Sequence, residues 1–101
     1  MAAPQAHPAV AAMHETPPVN PESIRTTIAA GLACDEVRVR GDGHHFEALV
    51  VSTVFEGKSR VARHQLVYAA LGERMRHEIH ALSMITMTPA EFAVARAQDQ
   101  Q

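Results

Sequence analysis

Two sets of side chains in this 101-residue chain could do chemistry. His44 and His45 stand at the head of the apolar run Phe46–Val51, and His80 heads a second run beginning Ala81-Leu82. Neutral imidazole is a ligand for zinc and iron. Two converging nitrogens are too few for a closed structural zinc site, which takes four ligands. They suffice for a share in a metal or cluster whose other ligands come from a second molecule. A histidine at a strand start also serves as a hydrogen-bonded structural residue, and the pattern alone leaves that alternative open. The second set is Lys58, Arg60 and Arg63 with His64 and Tyr68, a cationic cluster at a helix start suited to phosphate or carboxylate groups. A solvated helix face would read the same way.

Motifs of catalysis are absent. The chain has no CxxC or HExxH pair, no Gly-rich phosphate loop after a strand, and no nucleophile elbow. Ser52, Ser59 and Ser83 have no base–acid pair evident in sequence. The expectation is that the protein is not an enzyme.

The elements that position these residues follow from capping and periodicity. Asn20-Pro21-Glu22 starts a helix: an Asn cap, Pro at the first turn and an acid near the positive end of the dipole. Ile24, Ile28 and Leu32 give it an apolar stripe, and Gly31 is expected to close it in the left-handed conformation. Val37 and Val39 alternate with Arg38 and Arg40 in a half-buried strand with a basic outer face. Gly41-Asp42-Gly43 is hairpin chemistry. The next strand, about His45 to Thr53, places Phe46, Ala48 and Val50 on one face and Leu49 and Val51 on the other. Apolar residues on both faces mark a central strand or an outer face covered by a partner.

Phe55-Glu56-Gly57 ends that strand, and Ser59 caps a helix running to about Met75. Ala62, Leu66, Val67, Ala70 and Leu71 turn inward, while Arg60, His64 and Tyr68 recur at intervals of four on the opposite face. Gly72 is the point where this helix is expected to break. Ile79 to Met87 forms the third strand, with His80 on the parity of Leu82 and Met84. Thr88-Pro89-Ala90-Glu91 is a capping box opening a last helix that carries Phe92 inward. The order α-β-β-α-β-α makes the first two strands a hairpin, and the crossing helix sets the third parallel to the second. The expected fold class is α+β: two layers, with a three-stranded mixed sheet and helices on one face. Parallel second and third strands start at one sheet edge, which brings His80 towards His44 or His45.

Bulk composition narrows the partners. A formal charge of -2 argues against a strongly basic nucleic-acid binder, although a local patch can still act. No apolar run approaches the roughly 20 residues needed to cross a bilayer, so no membrane partner is expected. The single cysteine, Cys34, excludes an internal disulfide and fits a reducing, cytoplasmic setting. It reads as a small buried hydrophobe at a helix-to-strand junction. Residues 1–20 are rich in Ala and Pro and contain no Lys or Arg, as expected of a disordered tail with His7 and His14 solvated. Residues 21–98 make the domain.

Several ordered motifs resemble the BolA family, in its IbaG/YrbA-like branch. They are Gly41-Asp42-Gly43-His44-His45-Phe46, Val51-Ser52, Phe55-Glu56-Gly57-Lys58-Ser59-Arg60-Val61, Arg63-His64-Gln65-Leu66-Val67-Tyr68, Ile79-His80-Ala81-Leu82-Ser83 and Thr88-Pro89-Ala90-Glu91-Phe92. The resemblance covers about residues 22 to 97. It implies a fold close to a type II KH domain and partnership with a monothiol (CGFS-type) glutaredoxin. In such heterodimers a [2Fe–2S] cluster is held by the glutaredoxin cysteine, a glutathione thiol and histidine of the BolA partner. The family's C-terminal histidine maps onto His80. The second ligand comes from the first hairpin loop, here short, so that His44 and His45 both remain candidates. The resemblance further implies an alternative role as a DNA-binding regulator of stress response and cell morphology, with Lys58, Arg60 and Arg63 on phosphates, and it allows a homodimer.

Overall fold

The computed structural model describes residues 19–79 and 81–99, the side chains of residues 74–78 excepted. The tail expected over residues 1–20 therefore lies, but for Val19 and Asn20, outside the described residues, and so does His80.

Helix α1 spans Pro21–Gly31. The Asn20 side chain accepts the Ser23 N–H at 2.8 Å, and Ser23 Oγ accepts the Asn20 N–H at 3.0 Å, a reciprocal cap at the expected start. Ile24 and Ile28 are fully buried beneath it. Strands β1 (Glu36–Gly41) and β2 (His45–Val51) pair antiparallel; a single 3₁₀ turn, Thr53–Phe55, then leads to α2, Arg60–Glu78. Strand β3 (Ala81–Met87) runs parallel to β2, and α3 spans Pro89–Asp99. The sheet order is β1-β2-β3, with β2 central as its two apolar faces require.

The core lies between this sheet and α1 and α2. Phe46, Ala48 and Val50 of β2 meet Ile24, Ile28, Val67, Leu71 and Phe55. By register Val37, Val39, Leu82 and Met84 share their face, and all four pack against this cluster. Complete burial of a Phe or Ile side chain contributes about 1.5–3 kcal/mol, so these layers carry most of the fold's stability.

Five expectations about elements and faces need correction or refinement. Gly31 does not adopt a left-handed conformation: it is the last helical residue, and Leu32 follows in extended backbone. Its role is close approach, because a Cβ there would lie 3.0 Å from Ala70 Cα on α2. Tyr68 is not on the cationic face; it packs half-buried against the core. Phe92 does not enter the core either. It is half-buried, with the Arg38 guanidinium 5.7 Å and that of Arg96 5.6 Å from its ring centroid. Arg38 belongs to the sheet face opposite α1 and α2, so α3 turns to that second face while the other helices share the first. The second face is also less basic than β1 alone suggests. Arg38 pairs with Glu36, and Arg40 pairs with Glu47 across the strands at 2.7 Å.

The break at Gly72 is as expected. Its φ of 84° and ψ of 164° lie in a region open essentially to glycine, and they split α2 into two helical pieces.

Candidate functional site

The histidine end of the sheet is built by the hairpin. Asp42 Oδ1 accepts the N–H groups of both His44 and His45 at 2.9 Å, and Asp42 N–H donates to the His45 carbonyl at 3.2 Å. The two donors to its side chain, the His45 N–H first and then that of His44, hold the Asp42 carboxyl below the usual aspartate range. One short acid therefore fixes the backbone of two consecutive imidazole-bearing residues, and both side chains are exposed. Gly41 is held by contact: a Cβ there would lie 2.4 Å from the His45 carbonyl oxygen and 2.5 Å from Phe46 Cδ1. Across the parallel ladder His45 is the register partner of Ala81, the residue next to His80 in the chain. An open depression of about 410 Å³ lies here, lined by Arg40, Gly41, Asp42, His45 and Glu47. Among the described residues no group of three His, Cys, Asp or Glu side chains comes together to hold a metal.

The cationic cluster forms the other end. Lys58, Arg60, Arg63 and His64 line an open depression of about 580 Å³ with Met84, Ile85 and Thr86 of β3. The three cations differ in kind. Lys58 and Arg60 are exposed, whereas the Arg63 side chain is only 14 % exposed. Arg63 Nε donates to the Lys58 carbonyl at 2.9 Å and Nη1 to the Thr86 carbonyl at 3.2 Å. The same guanidinium forks onto Glu91, with Nη1–Oε1 2.8 Å and Nη2–Oε2 3.3 Å, and lies 5.9 Å from the Phe55 ring centroid. Arg63 thus ties the start of α2 to the end of β3 and the start of α3. Glu91 in turn closes the cap of α3: Thr88 N–H donates to Oε1 at 2.9 Å and Glu91 N–H to Thr88 Oγ1 at 3.1 Å. Arg63 and then the Thr88 N–H hold the Glu91 carboxyl below the usual glutamate range. Sequence reasoning places Arg63 in the patch but misses this clamp. Its partners lie 23 and 28 residues away, and only the expected cap at Thr88–Glu91 hints at one of them.

The other reactive side chains have structural surroundings. Burial, and then the neighbouring Asp35, push the half-buried Cys34 thiol up, away from the thiolate. Buried Ser52 donates to the Ala33 carbonyl and accepts the Val54 N–H at 3.1 Å, capping the 3₁₀ turn.

The family model described as BolA-like protein matches residues 19–91, from the cap of α1 to the clamp at Glu91. The chain belongs to the BolA family. Among its BolA relatives, the acid stress protein IbaG of Escherichia coli is 42% identical over 71 residues, covering 69% of this chain and 84% of IbaG. The DNA-binding transcriptional regulator BolA of Haemophilus influenzae is 42% identical over 53 residues, 52% of each chain. In structure, a BolA homologue from Coxiella burnetii superposes with a TM-score of 0.64 at 49% identity, over 74% of this chain and 97% of that one. The α+β fold with its three-stranded mixed sheet is thus the BolA fold. Both curated relatives are named for a stress response or for regulation, not for a catalysed reaction.

Proposed function

We propose that this BolA-family protein is a non-enzymatic, cytoplasmic partner of a monothiol CGFS glutaredoxin that shares a [2Fe–2S] cluster through histidine, in iron–sulfur trafficking or redox signalling. The observation that carries the reading is the register of His45 with Ala81, because it sets the hairpin beside the start of β3, and Ala81 follows His80 in the chain. Consecutive Cα atoms are about 3.8 Å apart, so His80 is one residue from that pairing. The residues suit half a site: His44 and His45 stand on an exposed hairpin that a second protein can reach. His80 and either His44 or His45 would hold one iron, and the glutaredoxin cysteine and glutathione the other. Imidazole in place of thiolate raises a cluster's potential, and it ligates only when neutral. Asp42 contributes by fixing the backbone on which both candidate hairpin ligands stand.

Co-purification of the pair tests this. The complex is expected to be brown, with a visible circular dichroism spectrum that His80→Ala abolishes or makes labile. An unchanged spectrum and lifetime in His80→Ala would show the ligand assignment to be wrong.

A second reading, a DNA-binding regulator, is favoured by the exposed Lys58 and Arg60 beside the depression at β3 and by the name of the Haemophilus relative. Arg63, engaged by Glu91 and two carbonyls, is the weakest of the three proposed phosphate contacts. Affinity for duplex DNA that falls steeply with salt, and with a shallower slope in Lys58→Ala/Arg60→Ala, would support it. A flat salt response would exclude it.

A further inference from the structure

Strand β3 is an outer strand whose sequence, Ala-Leu-Ser-Met-Ile-Thr-Met, contains no charge, proline or glycine. Edge strands of that composition pair with other chains unless something blunts them. In a parallel pair, alternate residues direct both backbone groups to the neighbour strand. The Ser52 N–H donates to the Met87 carbonyl at 3.0 Å, which marks Met87, and with it Ile85, as facing β2. Met84 and Thr86 therefore face outward. The Thr86 carbonyl accepts Arg63 Nη1, and among the described residues no bond is recorded to the outward groups of Met84 or to the Thr86 N–H.

The two sides of this edge differ. Beside it on the α2 side stand Lys58 and Arg60, both exposed and without a carboxylate partner among the described residues. The depression of about 580 Å³ between them and Met84–Thr86 leaves room for a further strand. On the opposite side Ile85 is 57% exposed and continues the apolar surface of Leu49.

We infer that the Met84–Thr86 edge receives an extended acidic peptide from a protein partner by strand addition. Its main chain pairs with the outward groups of Met84 and with the Thr86 N–H, the Thr86 carbonyl staying with Arg63. Alternate side chains divide between the two sides, carboxylates to Lys58 and Arg60 and apolar groups to Ile85. A nucleic-acid backbone could answer the cations but would leave the ladder groups of Met84 unmatched, so the peptide is favoured. The histidine end of β2 aligns with Ala81, three residues before Met84 and five before Thr86, roughly 10 to 17 Å along the strand. The two surfaces are separate, and the test below needs neither cluster nor glutaredoxin.

The test titrates full-length ¹⁵N-labelled protein with an eight-residue peptide of alternating Val and Glu, with its Val/Lys counterpart and with single-stranded DNA as probes. The Val/Glu peptide is expected to shift and slow the exchange of the Met84 and Thr86 amides. Its affinity should fall about tenfold in Lys58→Glu/Arg60→Glu, two exposed positions where the fold is expected to persist, with a second check from Ile85→Ser. Equal binding of the Val/Lys peptide, or DNA binding at Lys58 and Arg60 with no response of Met84 to the Val/Glu peptide, would overturn the inference.

Discussion

At the scale of single residues, the cationic patch resolves into one structural arginine and two exposed cations. Arg63 donates to two main-chain carbonyls and forks onto Glu91, so its loss leaves Lys58 and Thr86 oxygens without a donor. Arg63→Ala should cost about 2 kcal/mol in urea unfolding, since hydrogen bonds from charged groups contribute more than neutral ones. Arg63→Lys should not restore it, because an ammonium cannot reproduce the fork. The Glu91 carboxyl, held low in the folded state by Arg63 and the Thr88 N–H, gives a pH signature. A depressed carboxylate stabilises the fold fully above its unfolded value, about 4.3, and that contribution disappears as pH falls through the folded value. Glu91→Gln should therefore lower the melting temperature at pH 7 and flatten its decline between about pH 5 and pH 3. Parallel melting curves for the two proteins across that range would contradict the assignment.

At the scale of elements, the sequence is most legible where chemistry is local. Asn20-Pro21 and Thr88-Pro89-Ala90-Glu91 cap the helices they announce, Gly41-Asp42-Gly43 makes the hairpin, and Gly72 breaks α2. The apolar residues on both faces of β2 left a central strand or a partner-covered face open, and the sheet order makes it central. What escaped was set by tertiary approach. Gly31 reads as a terminator but is small because Ala70 passes close by, and Phe92 reads as core but sits under Arg38. Neither neighbour is close in sequence. The hairpin glycine is the sharpest case in the candidate site. Gly41→Ala places a methyl 2.4 Å from the His45 carbonyl, and main-chain oxygen cannot swing aside as a long side chain can. We expect a loss of about 1–3 kcal/mol, typical of overpacking, measured by chemical denaturation. The His44 and His45 amides should shift in the same variant. A neutral effect with unshifted amides would mean that the hairpin is looser than its contacts imply.

At the scale of the whole molecule, the domain is a two-helix layer on a mixed sheet, with a third helix turned to the other face and latched by Arg63. The two ends of the sheet carry different chemistry. One sets exposed imidazoles on an Asp42-braced hairpin, and the other sets exposed cations beside an uncharged strand edge. The sequence resemblance supplies the histidines and the expected partner, and the register supplies the reason that residues 35 positions apart can act together. The alignment of β2 with β3 was legible from the crossing helix alone, because a parallel pair starts at one edge. The choice between His44 and His45 was not, since a hairpin this short presents both.

The central claim is that this protein supplies histidine nitrogen to a cluster completed by its partner. Pulsed electron paramagnetic resonance of the reduced complex, prepared with ¹⁵N-histidine in this chain alone, reads that directly. Strong ¹⁵N couplings from two ring nitrogens are expected, one lost in His80→Ala and the other in either His44→Ala or His45→Ala. A reduced cluster showing no coupling to labelled histidine would contradict the claim.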